Sequence, residues 1–389
     1  MKIVGIICEF NPFHNGHKYI VDRAKEEGDA VVAVMSGNFT ERGEIAIADK
    51  YTRAEMAVRC GVDLVVELPF PSSVSSAEFF AEAGVRVLDR LGAQKIVFGS
   101  ECGDICRLKR AADIALNEEF LIAYRNRELS DSKGSAEAYF ELLSEFLGMD
   151  AGLSSNDMLG VEYIKAILKN GFNIEPVTFS RVGDGFLEES VGDSCFASAT
   201  ALRGLVKGDC ENLSKYMPSE ALRVFLEAMK DGSAPVLYEN VERGILLSLR
   251  LAFGDSLDGI AELSGGLGNR LIEAAHKSVS LDELIKNAST KKYTTSKIKR
   301  GIINAVLGVK TEDIRQISYT AALGANERGR EILSELRKKD GDIAIVTKPA
   351  DAPECRQKEL SDRADSLYSL GYGNVRTSDF IYKKRIYIV

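Results

Sequence analysis

The sequence lacks the features that mark several classes of protein. It contains no run near the ~20 consecutive apolar residues that a membrane-spanning helix needs, so we expect no membrane segment. The apolar start, Ile3 to Cys8, is interrupted by Glu9 and Asn11, too early for a secretory signal. We therefore interpret it as a buried first strand. No internal repeat or low-complexity tract is present.

The cysteines do not form the pattern of a disulfide framework or a zinc ribbon. There are seven, an odd number, and no two are spaced as CxxC. Cys102 and Cys106 could share a helix face, but no second pair of ligands lies nearby, so we expect no protein metal site. This usage favours a reducing cytoplasm as the location.

Size and charge further limit the classes of protein that fit this sequence. With 389 residues, 45% hydrophobic and 28% charged, the chain is long enough for two domains with buried cores. The net charge of −8 argues against a uniformly basic nucleic-acid binder, although it leaves room for a local basic patch.

The first part of the chain alternates short β-branched runs with helical stretches, which predicts parallel strands joined by crossover helices. The predicted strands are Ile3 to Cys8, Ala30 to Met35, Asp63 to Leu68, Lys95 to Phe98 and Asn173 to Phe179. The predicted helices between them are Gly16 to Glu27, Asp49 to Cys60, Ser76 to Leu91 and Asn156 to Lys169. This order indicates a doubly wound α/β domain with a parallel sheet.

Beyond about residue 205 the pattern becomes mainly helical. Helices are predicted at Ser219 to Lys230, Val241 to Ala252, Leu281 to Asn287 and Lys297 to Leu307. Strand-like runs at Ile343 to Thr347 and Asp379 to Val389 flank a helix from Cys355 to Leu370, which suggests a small α/β appendage at the C-terminus. We therefore predict two domains, 1–205 and 206–389.

Two of the three histidines, His14 and His17, lie where the first strand passes into the first helix. The N-terminus of a helix presents free N–H groups and a positive dipole end to an anion. Gly16 allows close approach of a phosphate, and both histidines could donate hydrogen bonds to it as charge develops. The alternative is that the histidines only cap the helix.

A second segment, Ala197 to Arg203, has the composition of a capped helix start with a cation. Ser198 and Thr200 could cap this helix and bind phosphate oxygens, while Arg203 supplies positive charge. Taken alone, such a segment is usually structural.

These two segments are similar to the HxGH and ISSTxxR motifs of the nucleotidylyltransferase superfamily. Further runs resemble one of its families, the bacterial tRNA(Met) cytidine acetate ligases. They are Met35 to Phe39, Arg42-Gly43, Asp49 to Met56, Asp63 to Phe70, Phe98 to Glu101, Asn156 to Gly160 and Arg181 to Gly183. The resemblance covers most of the chain and implies a Rossmann-like nucleotidylyltransferase fold.

The resemblance also implies which residues bind ATP. These are Ile7, Cys8, Glu9, Phe10, Asn11, Pro12, Phe13, His14, Asn15, Gly16, His17, Lys18, Tyr19, Ile20, Gly99, Asn156, Arg181, Ser198, Thr200 and Arg203. His14, His17 and Lys18 would stabilise the α-phosphate and form the catalytic set, while Ser198, Thr200 and Arg203 would hold pyrophosphate. Magnesium is expected on the phosphates, without a dedicated set of protein ligands.

Three of these positions have simpler explanations. Gly99 could be an ordinary turn glycine, Asn156 could cap its helix instead of binding adenine, and Arg181 could be a solvated surface residue. After Arg181, the stretch Phe186 to Glu188 departs from the polar, tyrosine-containing segment of many relatives.

The segment from Lys286 to Arg300 has six basic residues and no acidic one, which is unusual in an acidic protein. If Ser296 caps a helix, Lys297, Arg300 and Asn304 share one face. Charge runs are often only solvated, but a local basic segment is also what binding to a phosphate backbone requires. We predict tRNA contacts from Lys291, Lys292, Lys297, Lys299 and Arg300. Lys383 to Arg385 is a second candidate.

The resemblance implies an ATP-dependent ligase that activates acetate as acetyl-adenylate and acetylates the wobble cytidine of elongator tRNA(Met) to N4-acetylcytidine. The expected partners are acetate and this tRNA, with no membrane and no protein partner. Two alternatives stay open. One is an adenylyltransferase acting on a small phosphorylated metabolite, and the other is a non-catalytic module that binds ATP and RNA.

Overall fold

A single twisted sheet runs through the protein, for which a computed structural model describes residues 1–130, 135–148, 153–181, 195–208 and 210–389. Its strands are β1 Ile3–Cys8, β2 Ala30–Ser36, β3 Leu64–Leu68, β4 Lys95–Ser100, β5 Glu175–Ser180, β6 Tyr319–Ala325, β7 Ala344–Val346 and β8 Tyr387–Ile388. The spatial order is β5-β4-β1-β2-β3-β6-β7, with β8 pairing with β6. Strands β1 to β5 are parallel, which confirms the predicted doubly wound arrangement.

Helices cover both faces of the sheet. They are α1 Asn15–Glu26, α2 Lys50–Arg59, α3 Ala77–Arg90, α4 Ile105–Leu116, α5 Glu118–Ser130, α6 Ser135–Leu147, α7 Ser155–Asn170, α8 Ala199–Gly208, α9 Ser219–Lys230, α10 Tyr238–Leu251, α11 Leu267–His276, α12 Leu281–Ala288, α13 Thr295–Leu307, α14 Glu327–Leu336 and α15 Arg356–Ser369. In the part of the chain described, none of them is long and apolar enough to cross a membrane.

The two faces of the sheet support two hydrophobic cores. The side chains of Val4 and Val31 pack with α1, α2 and the later helices, whereas those of Ile7 and Val32 pack with α3, α4 and α7. Alternate residues of one strand therefore lie in different cores, as the twofold period of a strand requires. Burial on both faces explains why β1 to β3 are almost uninterrupted apolar runs.

The C-terminal strands extend this sheet and do not form a sheet of their own. Strand β6, which the sequence pattern did not predict, pairs antiparallel with β3, and β7 and β8 pair with β6. Its sequence, YTAALGA, contains mostly small residues without the β-branched enrichment of the other strands. The division at residue 205 stays a prediction, but the sheet takes strands from both sides of it.

Two local predictions near the C-terminus have different outcomes. Helix α15 occupies the predicted range, with Cys355 as its N-cap. The strand predicted from Asp379 to Val389 is mostly wrong, because Ser378–Lys383 forms a 3-10 turn and only Tyr387–Ile388 is extended and paired.

Candidate active site

The turn between β1 and α1 places the two motif histidines in contact. His14 is the N-cap of α1, and its Nδ1 accepts a hydrogen bond from the Gly16 N–H at 3.0 Å. The Nδ1 of His17 in turn accepts from the His14 N–H at 3.3 Å. The two imidazoles stack with centroids 3.7 Å apart, and the ring of Phe10 packs edge-on against His17 at 5.0 Å. The histidines therefore cap the helix and are also held in fixed orientations.

Both imidazoles are neutral in this environment. Burial, followed by the positive charges of Arg181 and Arg203, lowers the pKa of His14 to about 3. Burial, His14 and Arg181 lower the pKa of His17 well below its usual value. Since the Nδ1 of His14 accepts a backbone hydrogen bond, its ring proton is assigned to Nε2, which can donate to an anion while the ring stays neutral. The ring of His17 also hydrogen-bonds the backbone of Pro12, which partly opposes the lowering of its pKa.

The backbone before the histidines adopts a conformation that a bulky residue seldom takes. Phe10 has a φ of 47°, in the left-handed region that costs a non-glycine residue of the order of 1–2 kcal/mol. The Phe10 ring is buried against Phe13 and His17, which offsets this strain. The strained turn directs the chain from the end of β1 into the N-terminus of α1.

The second predicted motif lies directly beside this turn. Ser198 caps α8, since its Oγ accepts from the Ala201 N–H at 3.1 Å. Arg203 donates to the carbonyl oxygen of Asn11 at 3.0 Å and to the Thr200 hydroxyl at 3.1 Å. The structure thus brings together two segments about 180 residues apart in the sequence, as the predicted phosphate site requires.

The carboxyl ends of β4 and β5 form the third side of the site. A Cβ on Gly99 would lie 3.1 Å from Cγ of Arg181 and 3.3 Å from Cδ1 of Ile20, so this glycine keeps the space between them open. Arg181 follows β5 directly, and its positive charge reaches both histidines, as their lowered pKa values indicate. Sheet ends of this kind are where doubly wound proteins bind nucleotides.

Asn156 lies near this third side but does not cap its helix. Ser154 is the N-cap of α7, and the Nδ2 of Asn156 donates to Glu101 Oε1 at 2.5 Å. Glu101 also accepts from the Ser154 hydroxyl at 2.5 Å. The capping alternative for Asn156 is therefore wrong. The stretch Phe186 to Glu188 falls outside the described residues.

Among the other predicted ATP contacts, the side chain of Lys18 has an acidic partner. The ammonium of Lys18 forms an ion pair with Asp22, one turn later on α1. By contrast, Glu9 lies beside the turn, where its carboxylate accepts from the Glu41 N–H at 2.9 Å. Burial, opposed in part by this hydrogen bond, raises the pKa of Glu9. The remaining predicted positions belong to the turn or to the ends of β1 and α1; they are Ile7, Cys8, Pro12, Asn15, Tyr19 and Ile20.

A buried arginine on α2 donates hydrogen bonds to backbone carbonyl groups next to the site. The guanidinium of Arg53 is 0% exposed and donates to the carbonyl oxygens of Glu9 at 2.5 Å, Ala48 at 2.9 Å, Ser36 at 3.0 Å and Gly37. It therefore joins the ends of β1 and β2. Arg53 lies in a run that carries the family resemblance, but its supporting role was not predicted. No local pattern indicated it, because α2 contains other charged residues, Lys50, Glu55 and Arg59.

Sequence reasoning also missed two carboxylates. Glu44 accepts from Arg203 Nη2 at 2.8 Å, and Glu101 accepts from Asn156. Glu101 belongs to the Phe98 to Glu101 run and Glu44 directly follows Arg42-Gly43, two of the segments that carry the resemblance. Neither pattern indicates its partner, because each partner is more than 50 residues away along the chain.

The predicted basic surface is only partly exposed. Helix α13 is capped by Thr294, not by Ser296. Lys291 and Lys292 are exposed and Lys297 is half-buried, whereas Arg300 is 8% exposed and forms ion pairs with Glu41 and Glu262, each at 3.2 Å. Arg300, predicted as a tRNA contact, is therefore held in ion pairs within the protein. Lys299 forms an ion pair with Glu44 at 3.1 Å.

The second basic candidate is also engaged with acidic partners. Lys384 pairs with the fully buried Asp49 at 3.3 Å, and Lys383 pairs with Asp379 at 3.2 Å. The hydroxyl of Tyr372 donates to the same Asp49 at 3.0 Å. These contacts fasten the C-terminal segment to the start of α2, which favours a structural role for this run.

Comparison with known proteins gives consistent results along the whole chain. The model of the HIGH Nucleotidyl Transferase family matches residues 1–381. The tRNA(Met) cytidine acetate ligase of Caldicellulosiruptor saccharolyticus is 36% identical over 383 residues, covering 96% of this chain and 94% of that protein. The protein of the same name from Clostridium perfringens is 35% identical over 408 residues and covers both chains fully.

Solved structures agree with this result. The crystal structure of apo Thermotoga maritima TmcAL superimposes with a TM-score of 0.92 at 33% identity, over the full length of both chains. A second crystal form of the same protein, bound with alpha-thio ATP, gives 0.89 at 32% identity with the same coverage.

Proposed function

The chain belongs to the tRNA(Met) cytidine acetate ligases within the HIGH nucleotidyl transferase family, and from this we propose that it activates acetate with ATP and acetylates a cytidine of tRNA(Met). The proposal rests on the arrangement of two imidazoles and two guanidinium groups at the end of the sheet. The neutral His14 and His17, at the N-terminus of α1, face the charges of Arg181 and Arg203. The two relatives described above are named tRNA(Met) cytidine acetate ligase, and the similar Thermotoga maritima TmcAL was crystallised bound with alpha-thio ATP.

The first step is in-line displacement at the α-phosphorus. An acetate oxygen attacks the α-phosphorus, the bond to the bridging oxygen of the β-phosphate breaks, and pyrophosphate leaves with that electron pair. The imidazoles of His14 and His17 donate to the non-bridging oxygens of the α-phosphate as charge develops. Arg203 and the start of α8 hold the departing pyrophosphate, and Arg181 balances charge on the other side.

The second step transfers the acetyl group to the tRNA. The exocyclic N4 amine of the cytidine attacks the acetyl carbonyl, the carbon–oxygen bond to AMP breaks, and the amine loses one proton. We propose the wobble cytidine of elongator tRNA(Met) as acceptor and N4-acetylcytidine as product. Both steps depend on positioning and need no covalent enzyme intermediate.

Magnesium would accompany ATP as its phosphate-bound counterion. In the ranges that the structure describes, no cluster of three or more His, Cys, Asp or Glu side chains could hold a metal ion. We place the reaction in the cytoplasm, with tRNA as its macromolecular partner.

The tRNA surface that we propose comprises the exposed Lys291 and Lys292 and the half-buried Lys297, near the start of α13. The ammonium groups of Lys292 and Lys297 lie 5.6 and 5.9 Å from the centre of the Tyr293 ring, and Lys291 is exposed next to them. This group precedes Lys299 in the sequence, and Lys299 contacts Glu44 beside Arg203. A tRNA bound here would lie near the activated acetate.

Two assays test this function. The first is acetate-dependent exchange of radiolabelled pyrophosphate into ATP, which should occur without tRNA. The second is formation of N4-acetylcytidine in tRNA(Met), which should require acetate, ATP and the tRNA together. Exchange that depends on a phosphorylated metabolite instead of acetate would support an adenylyltransferase, and the absence of any exchange would contradict the proposal.

A matched set of variants tests the surface. Changing Lys291, Lys292 and Lys297 to alanine should weaken tRNA binding and reduce the slope of log affinity against log salt by roughly 0.7–0.9 per lost phosphate contact. The control removes three exposed lysines elsewhere, Lys109, Lys277 and Lys338, with the same change in net charge. Equal losses in both triple variants would show that only net charge matters and would reject this surface.

A further inference from the structure

The carboxylate of Glu44 is shared by two cations from distant parts of the chain. Its Oε2 accepts from Nη2 of Arg203 at 2.8 Å, and its Oε1 accepts from Nζ of Lys299 at 3.1 Å. Arg203 lies on α8 at the proposed pyrophosphate position, whereas Lys299 lies on α13, the helix next to the exposed lysines. A single side chain thus connects the nucleotide site with the proposed tRNA surface.

The backbone around Glu44 is held tightly against α13. Gly43 has a φ of +69°, and a Cβ there would lie 2.4 Å from the backbone nitrogen of Arg300. Glu41, two residues earlier, pairs with Arg300 at 3.2 Å, and its N–H donates to Glu9 in the turn that leads to the histidines. The loop from Glu41 to Glu44 therefore contacts α13 and the motif turn at the same time.

The negative charge of Glu44 acts on both Arg203 and Lys299, so the loss of one cation changes the interaction with the other. Although burial acts in the opposite direction, Arg203 and then Lys299 hold the pKa of Glu44 below its usual value, so the carboxylate is ionised at neutral pH. If Lys299 is withdrawn, the full negative charge of Glu44 acts on Arg203. Arg203 then has less charge available for a phosphate of ATP, because a carboxylate and a phosphate compete for the same guanidinium.

We propose that Glu44 is a positioning residue that sets the orientation and available charge of Arg203 according to whether Lys299 is engaged, and so couples α13 to the nucleotide site. This inference rests on the proposed function, in which Arg203 binds the phosphates of ATP. Coupling between two sites through a shared element typically amounts to 5–150-fold in affinity.

The test is a double-mutant cycle read by ATP affinity, measured by calorimetry on the full chain without tRNA. Lys299→Met should weaken ATP binding by at least about 5-fold when Glu44 is present. In the Glu44→Gln background the same change should have less than about 2-fold effect, because no carboxylate remains to compete for Arg203. Equal effects of Lys299→Met in both backgrounds would overturn the proposal, since they would reflect only the loss of a distant charge.

A second readout separates positioning from a purely structural role. Glu44→Gln should lower the kcat of acetate-dependent exchange about 10-fold or more while ATP binds no more weakly, because Arg203 loses its anchor while the site loses a repulsive charge. Lys207, on the same helix as Arg203, forms an exposed ion pair with Glu239. Lys207→Met removes this pair, is the matched control, and should change neither kcat nor ATP affinity.

Parallel losses of Tm, kcat and ATP affinity in Glu44→Gln would assign Glu44 a structural role and reject positioning. A wild-type protein that binds no ATP would contradict the proposed function and this inference together. If the wild-type protein binds ATP but the effects of Lys299→Met and Glu44→Gln on ATP affinity are additive, only the inference would be contradicted.

Discussion

Replacing the buried arginine of α2, Arg53→Met, should strongly destabilise the protein. The guanidinium donates to four backbone carbonyl groups at the ends of β1 and β2 and in the segment before α2. Hydrogen bonds to a charged group contribute roughly 1.5–3 kcal/mol each, but the variant no longer bears the cost of burying a charge. We therefore expect the free energy of unfolding to fall by about 3–5 kcal/mol.

This loss is a large fraction of the roughly 5–15 kcal/mol that stabilises a typical native protein. From the usual entropy of unfolding per residue, it corresponds to a Tm lowered by about 4–6 °C for a chain of this length. Urea unfolding and scanning calorimetry measure both quantities. ATP affinity should fall as well, because the carbonyl group of Glu9, at the start of the motif turn, loses its partner.

Arg59 provides the control on the same helix. It is 28% exposed and pairs with Glu55 one turn earlier, so Arg59→Met should cost less than about 1 kcal/mol. If Arg53→Met destabilised the protein no more than Arg59→Met, the four hydrogen bonds would contribute little net stability. The view that Arg53 holds the strand ends in place would then be refuted.

Four further predictions concern the site. His14→Asn keeps a capping side chain but removes the Nε2–H donor, so exchange should fall about 10²–10³-fold with Tm nearly unchanged, and normal exchange would exclude His14 from catalysis. The pKa of His14 in the folded state is lowered to about 3, so its contribution to stability is complete above about pH 6.5 and is lost as the pH falls from there towards 3. Tm should therefore decrease over this pH range, and His14→Asn should make the decrease smaller. Gly43→Ala should lower Tm measurably, since its Cβ would lie 2.4 Å from the Arg300 backbone at a positive φ, and an unchanged Tm would show that the loop adjusts freely. In the exchange assay propionate should react about 10–200-fold less efficiently than acetate, and its complete rejection would indicate rigid steric exclusion in place of a small apolar pocket.

The parallel part of the sheet and the motif turn were predictable because their signals are local. Runs such as IVGIIC and AVVAVMS are buried on both faces and flanked by helical periodicity, so composition alone distinguishes them from amphipathic segments. His14 and His17 lie at a strand-to-helix junction, where the first N–H groups of a helix have no partner within the helix. Their placement therefore followed directly from the order of the elements.

Strand β6 and the burial of Arg300 were not predictable in this way. The small residues of β6 fit several conformations, and it is a strand because the edge of β3 offers unpaired hydrogen-bonding groups. Arg300 has a long charged side chain, a type that is mostly exposed in proteins. It is buried here, where Glu41 and Glu262 approach it from other segments.

The sequence by itself therefore determined the parallel strands with their crossover helices, the motif turn and the family, because these depend on neighbours along the chain. Only the tertiary structure decided which charges meet. Glu44 lies between Arg203 and Lys299, and Arg53 reaches the ends of two strands, across separations that no local pattern encodes. The energy of a charged group depends on its burial and on partners within a few ångströms, and folding alone brings these together.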